Sequence, residues 1–296
     1  MKTVLCLVFL LSIFVAYIQA EKAEPTYRIT SPVEYQIIQR DSNNTAWVEI
    51  QVTTSLPVSK SGLLEYRLDK NKTWEKLSGE WKNQNHLSRL KMPAGGWYGL
   101  EVRDSRTPDH RSQVVQFGVG EVFVVAGQSN SGNYGEVKQS TQTRLVSAFD
   151  FENKKWQLAK DPQPGAGGRG GSIMPLLGDA LSKKLNLPIG IIAYGQGGTS
   201  VREWLPQGSM FPNPPTVENK VRKINDGEWE SLGKIYPGFI ERMKAFGKNG
   251  FRAVLWHQGE SDANQKDPTR TLAGPLYEKY LTQLIERTRD ETGWSV

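Results

Sequence analysis

The sequence predicts an α/β protein in which a parallel sheet follows a smaller all-β region. From residue 119 onward, apolar runs of strand length alternate with segments whose apolar residues recur at helical spacing, a pattern typical of parallel strands joined by helices. Between residues 27 and 117, short runs alternate apolar and polar residues with period two. We therefore predict a signal peptide over residues 1–20, a β-sandwich domain over 21–118 and an α/β domain over 119–296.

The first 20 residues are typical of a secretory signal peptide. Lys2 gives a positive start, residues 4–17 are almost wholly apolar, and Ala20 offers a small residue at the cleavage point. The apolar stretch is shorter than the ~20 residues of a spanning helix, so we predict a secreted or periplasmic protein without stable membrane insertion rather than an uncleaved anchor. Cys6 is the only cysteine, which excludes disulfides and cysteine chemistry from the mature chain.

The β-rich region contains regularly spaced short strands, which indicate a small sandwich. The predicted strands cover residues 47–52, 64–68, 97–102 and 113–117. Gly118 and Gly120 lead directly into the next apolar run, so the predicted boundary between the two domains is tight.

Three later strands are predicted at residues 122–125, 189–194 and 251–256, each flanked by a segment of helical period. The positions of two prolines agree with these elements. Pro175 suits a first helical turn, and Pro188 ends the helix before the second strand.

Each of these strands runs into a polar loop that contains glycine: residues 126–132, 195–200 and 257–262. Because parallel strands end at one edge of a sheet, we expect the three loops to converge. Ser129 lies in the first loop, where a tight turn can expose its hydroxyl and nearby N–H groups can bind an anion. Taken alone, this motif fits an ordinary turn as well as it fits a reactive serine, but convergence of the loops makes Ser129 a candidate nucleophile.

These loops resemble the first three conserved blocks of the SGNH-hydrolase superfamily, in its sialate O-acetylesterase and acetylxylan esterase branch. The matching residues are Gly127-Gln128-Ser129-Asn130, Gly197-Gly198-Thr199-Ser200 with Glu203-Trp204, and Gln258-Gly259-Glu260-Ser261. The resemblance implies a three-layer, flavodoxin-like parallel sheet. It also implies a serine carboxylic-ester hydrolase that removes acetyl groups from carbohydrates through an acyl-serine intermediate, without cofactor or metal ion.

The resemblance further implies the roles of individual residues. Ser129 is the expected nucleophile, and its own N–H, an N–H from Gly197 or else Gly198, and the side chain of Gln258 are expected to form the oxyanion hole. Supporting roles are expected for Gln128, Asn130 and Glu260.

The chain departs from the family pattern in its catalytic base, which the family carries in an Asp-x-x-His block. No such block occurs here, and the three histidines are His86, His110 and His257. The first two lie in the β-rich region, and we interpret the third as a histidine of the loop or pocket wall. Residues 295–296 resemble the start of another strand, so we expect the catalytic Asp and His beyond Val296 and little activity from residues 1–296 alone.

Charge and glycine content exclude two other classes of function. The formal charge of +6 is spread without a long basic run, so we expect no nucleic-acid partner. The glycine-rich segment 163–171 lacks the lysine of a phosphate-binding loop, and we interpret it as a flexible wall of the cleft from which Arg169 can reach substrate. An acetylated carbohydrate is the expected partner, its sugar left open. A non-catalytic secreted protein that binds glycans or has a structural role is the alternative.

Overall fold

The computed structural model describes residues 26–57, 62–69, 72–263 and 266–294. The predicted signal peptide and the predicted strand start at 295–296 therefore lie outside the described residues. The described chain is a mixed α/β protein with a multi-stranded mixed sheet and few helices. Among its helices, none combines the length and apolar character needed to cross a bilayer.

The amino-terminal half is built from β-strands that belong to two sheets. These strands are β1 (Tyr27–Ser31), β2 (Gln36–Gln39), β3 (Thr45–Thr54), β4 (Leu64–Leu68), β5 (Glu75–Lys76), β6 (Glu80–Lys82), β7 (Asn85–Pro93), β8 (Gly95–Asp104) and β9 (Val115–Gly127). One sheet has the order β1-β3-β7-β6, while β4, β5 and β8 belong to the larger sheet. Apolar residues of both sheets, such as Ile50 and Leu100, share one buried core. The period-two pattern predicted for residues 47–52 is confirmed, because buried and exposed residues alternate along β3.

The thirteen-residue strand β9 joins the two halves of the protein. Its first residues pair antiparallel with β8, and residues 121–127 pair parallel with a later strand. The predicted boundary between residues 118 and 119 falls inside this strand. Gly118 and Gly120 are required there by close packing, because a Cβ atom on either would lie within 2.8 Å of Pro188.

The second half follows the predicted alternation of strands and helices. Its elements are β10 (Val146–Asp150), β11 (Lys155–Leu158), α1 (Met174–Leu185), β12 (Ile189–Gly195), β13 (Met210–Phe211), β14 (Val221–Asn225), β15 (Glu228–Ser231), α2 (Tyr236–Lys244), β16 (Ala253–His257), α3 (Glu260–Ala263) and α4 (Gly274–Thr292). Strands β10, β12, β9 and β16 are adjacent in that order and parallel, and β11 adds an antiparallel edge. The sequence analysis missed β10, β11 and the small sheet β13-β15-β14.

Both faces of the central strands are buried. Val122 and Val124 of β9 pack into one core with residues of α2 and α4. Phe123 and Val125 point to the opposite face, where they share a core with Met174 of α1. Burial on both faces explains why these strands are continuous apolar runs rather than alternating ones.

Candidate active site

The three central strands end at the same level, which confirms the predicted convergence of the loops. Gly127 at the end of β9 pairs with Gly195 of β12 on one side and with His257 of β16 on the other. Backbone hydrogen bonds continue past these pairs, since Gln128 N donates to His257 O at 3.0 Å and Gln196 N donates to Gly127 O at 2.8 Å. The first residues of all three loops are therefore locked together.

The turn that carries Ser129 depends on Gly127. Gly127 has a φ of +130°, and a Cβ atom on it would lie 2.1 Å from the carbonyl oxygen of His257. Only glycine fits this position. The chain then forms a short 3-10 helix, Ser129–Ser131, whose last turn is closed by a 2.9 Å bond from Gly132 N to Ser129 O. Ser129 is partly exposed, and no side chain or backbone group in the described part of the chain bonds to its hydroxyl.

Several N–H groups of the first two loops are available to a ligand. Within the described ranges, no acceptor pairs with the backbone N–H of Ser129, Gly197 or Gly198. Gly198 is exposed and has a φ of +72°, a conformation that favours glycine. Unpaired N–H groups of this kind can bind the negative oxygen of a tetrahedral intermediate.

Two glutamine side chains hold the first and third loops together. Gln128 is buried, and its Oε1 accepts hydrogen bonds from Ser261 N at 3.0 Å, from Gly259 N at 3.3 Å and from Gln258 Nε2 at 3.2 Å. The supporting position expected for Gln128 is thus a bridge between loops.

The Gln258 amide also reaches the second loop. Its Nε2 donates to Thr199 O at 3.0 Å and to Asp262 Oδ2 at 2.6 Å, while its Oε1 accepts from the Tyr277 hydroxyl at 2.9 Å. Both amide hydrogens of Gln258 point at acceptors within the protein. To donate to an oxyanion, Gln258 must first break one of these hydrogen bonds. That role stays a prediction.

Asn130 and Glu260 form a second contact between the first and third loops. Asn130 Nδ2 donates to Glu260 Oε1 at 2.5 Å, and the same oxygen lies 3.6 Å from His257 Nε2. Both Glu260 and His257 are exposed at the rim. The structure therefore pairs His257 with a carboxylate at the loop surface.

A buried carboxylate of the site, that of Asp262, was not among the predicted site residues. It is 1% exposed, and it accepts hydrogen bonds from Ser200 Oγ at 2.6 Å and from Val201 N at 3.0 Å in addition to that from Gln258. The fully buried guanidinium of Arg202 lies 3.5 Å away. The signal in the sequence is weak: an Asp four residues after Gln258, which the short helix α3 brings back to the same side.

A second buried carboxylate, that of Glu203, also lies beside Ser200 and accepts a hydrogen bond from its backbone. Ser200 N donates to Glu203 Oε2 at 2.8 Å, and Lys220 Nζ lies 3.5 Å from its other oxygen. Burial raises the pKa of Glu203 to about 7.

The glycine-rich segment 163–171 packs against the residues that follow the first loop. Gly135 and Gly171 exchange two backbone hydrogen bonds of 2.9 and 2.7 Å, and a Cβ atom on Gly168 would lie 2.3 Å from Asn133 O. These glycines allow close contact between backbones, which explains their number without a phosphate. These hydrogen bonds fix the segment against its neighbours and Arg169 is exposed on it, while its predicted flexibility and its place in the wall of the cleft stay predictions.

A cavity of about 680 Å³ opens beside the third loop, lined by residues such as His257, Gly259, Leu272 and Tyr277.

Within the described residues, no group of three His, Cys, Asp or Glu side chains could hold a metal ion.

Comparison with known proteins gives one family match. A model of the carbohydrate esterases described as sialic acid-specific acetylesterases matches residues 119–295, more than half of the chain. No curated protein matches the sequence.

Two solved structures are similar at low identity. A carbohydrate acetylesterase from Xanthomonas citri is 18% identical with a TM-score of 0.47, over 88% of this chain and 56% of that one. A protein from Arabidopsis thaliana is 18% identical with a TM-score of 0.38, over 59% of this chain and 69% of that one. The chain thus spans little more than half the length of the Xanthomonas protein.

Proposed function

Because the chain belongs to the carbohydrate esterase family of the sialic acid-specific acetylesterases, we propose that it is a secreted O-acetylesterase that uses Ser129 as its nucleophile. The observation that carries this proposal is the position of Ser129 at the common end of three parallel strands, where no group of the described residues bonds to its hydroxyl and none accepts from the N–H of Ser129, Gly197 or Gly198. A reactive oxygen and anion donors at one point are what acyl transfer requires.

In the proposed reaction, Ser129 Oγ attacks the carbonyl carbon of an acetyl ester and loses its proton to a base. The carbonyl oxygen becomes an oxyanion, which the N–H groups of Ser129 and of Gly197 or Gly198 stabilise. The bond to the sugar oxygen then breaks, the sugar leaves as an alcohol, and water releases acetate from the acyl-serine. Gln258 is proposed to assist the oxyanion from the third loop.

The proposed reaction also needs a catalytic base that takes the proton of the Ser129 hydroxyl. In the described part of the chain, none of the three histidines bonds to Ser129: His86 lies in β7, His110 contacts Thr107, and His257 contacts Glu260. We therefore propose that an Asp-His pair activates the serine, as the family resemblance implies.

We also infer a three-layer, flavodoxin-like arrangement for the parallel strands, with a sandwich formed by the preceding strands. The separate cores on the two faces of β9 support the first inference, and the core shared by β3 and β8 supports the second.

The test is acetate release by the natural full-length protein from acetylated xylan, acetylated pectin and O-acetylated sialic acid. Ser129→Ala should abolish release, because the nucleophile is lost. Ser131→Ala is the matched control, since this serine lies in the same 3-10 helix but its hydroxyl is bonded to Gln128 O at 2.7 Å. Release that survives in Ser129→Ala would disprove the acyl-serine mechanism, and glycan binding without any acetate release would favour a non-catalytic protein.

A further inference from the structure

Tyr134 places an exposed aromatic ring across the backbone of the first two loops of the site. Its side chain is 53% exposed. A Cβ atom on Gly197 would lie 2.3 Å from the Tyr134 hydroxyl, and one on Gly132 would lie 3.1 Å from the ring. A Cβ atom on Gly167 would lie 3.0 Å from the Tyr134 hydroxyl, and one on Gly168 would lie 3.2 Å from the ring. Four glycines therefore make room for the Tyr134 side chain. Gly132 belongs to the loop that carries Ser129, and Gly197 belongs to the second loop.

The backbone that carries this ring is held firmly on both sides. Asn133 and Gly135 make four backbone hydrogen bonds of 2.7 to 2.9 Å with the glycine-rich segment 163–171. The Asn133 side chain is buried, and its amide bonds to three backbone groups of the same segment. Fixing the ring in advance lowers the entropy that a ligand must lose on binding it.

The ring is also chemically unsatisfied. Within the described residues, no group bonds to the Tyr134 hydroxyl, and about half of the residue's surface is exposed to solvent. A tyrosine side chain combines an apolar ring with a polar hydroxyl. These two parts suit the C–H face and the hydroxyl groups of a pyranose ring. Four glycines make room for Tyr134, yet much of the residue is exposed. Packing inside the protein therefore does not explain why a tyrosine stands at this position.

We propose that Tyr134 is the sugar-binding residue of this site: the pyranose ring of an acetylated substrate stacks on its exposed surface while the acetyl group reaches Ser129. The proposal rests on the esterase function proposed above and adds to it the residue that distinguishes a sugar ester from a simple ester. Because Tyr134 contacts the sugar in the ground state and the transition state alike, it contributes to binding and not to the rate of bond breaking.

The first experiment measures binding without chemistry. A mono-O-acetylated methyl pyranoside is titrated into the Ser129→Ala full-length protein and followed by NMR. Adding Tyr134→Ala should raise the dissociation constant about 3- to 10-fold, the effect of one aromatic contact, and Tyr134→Phe should change it by about twofold or less because the ring remains. Trp47→Ala, which removes another exposed aromatic side chain on β3, should leave it unchanged.

The second experiment uses the full-length protein with Ser129 intact and compares this sugar ester with ethyl acetate, which has no ring to stack. Tyr134→Ala should raise KM for the sugar ester at unchanged kcat, and kcat/KM for ethyl acetate should not change. Equal losses on both esters would mean that Tyr134 only shapes the loops, and this result would overturn the proposal. So would unchanged sugar affinity in Tyr134→Ala, or no sugar binding by the Ser129→Ala protein. Failure of the esterase function is detected separately, by acetate release that persists in Ser129→Ala.

Discussion

Two buried glutamates should change the stability of the protein with pH in opposite directions. Glu203, 0% exposed, has a pKa raised from 4.5 to about 7, and burial is the main cause. A raised carboxyl pKa means that the folded state favours the protonated form. The contribution of Glu203 to the free energy of unfolding is therefore fully present below pH 4.5 and is lost as the pH rises through about 7.

The size of this effect follows from the shift. One pKa unit corresponds to about 1.4 kcal/mol, so the free energy of unfolding should fall by roughly 2 to 3 kcal/mol between about pH 5 and pH 8 because of Glu203. Glu203→Gln is neutral at every pH and can still accept the hydrogen bond from Ser200 N. The variant should lack this fall and should be more stable than the wild type at about pH 8.

Urea unfolding followed by tryptophan fluorescence across this pH range measures the effect, with Glu121→Gln as the matched control. Burial alone would raise the pKa of Glu121, but hydrogen bonds from Arg252, Gln39 and Arg40 lower it overall. Its stabilisation is present at neutral pH and lost in acid, so Glu121→Gln should be destabilised at pH 7 and approach the wild type as the pH falls. Parallel stability curves for the wild type and Glu203→Gln would refute the reasoning.

Four further outcomes concern activity. Gln258→Ala in the full-length enzyme should lower kcat by about 10² to 10³ with little change in KM, and an unchanged kcat would remove this side chain from the oxyanion hole. Glu260→Gln should cost stability and some activity without moving the pH–activity profile; loss of the profile's titration in this variant alone would make Glu260 the base. Gly197→Ala should abolish activity, because its Cβ would lie 2.3 Å from the Tyr134 hydroxyl, and Tyr134→Ala should restore part of it on ethyl acetate. His257→Ala should leave the turnover of an aryl acetate unchanged, whereas turnover that disappears in His257→Ala would identify His257 as the base.

Local pattern was sufficient to predict the elements that position the site. The apolar runs at residues 122–125 and 189–194 became β9 and β12, because strands buried on both faces must be apolar throughout. The run at residues 251–256 became β16, whose residues are half-buried or exposed. Their parallel order then required the three polar loops to meet, which the register at Gly127 confirms. The strand β10 was missed because a five-residue run carries too little periodicity to separate it from a loop.

Tertiary structure alone decided which polar groups are paired. The sequence shows that Asp262, Gln258 and Tyr134 lie near the motifs, but not that the first is buried against Arg202, that the second bridges three loops, or that the third rests on glycines from distant segments. Glycine is ambiguous for the same reason: the residue type permits a turn, a linker or a close backbone approach. At Gly118 and Gly120 the position of Pro188, about seventy residues away in the chain, made it a close approach. Hydrophobic periodicity is a local property of the chain, whereas hydrogen-bond partners and close contacts depend on segments that meet only after folding.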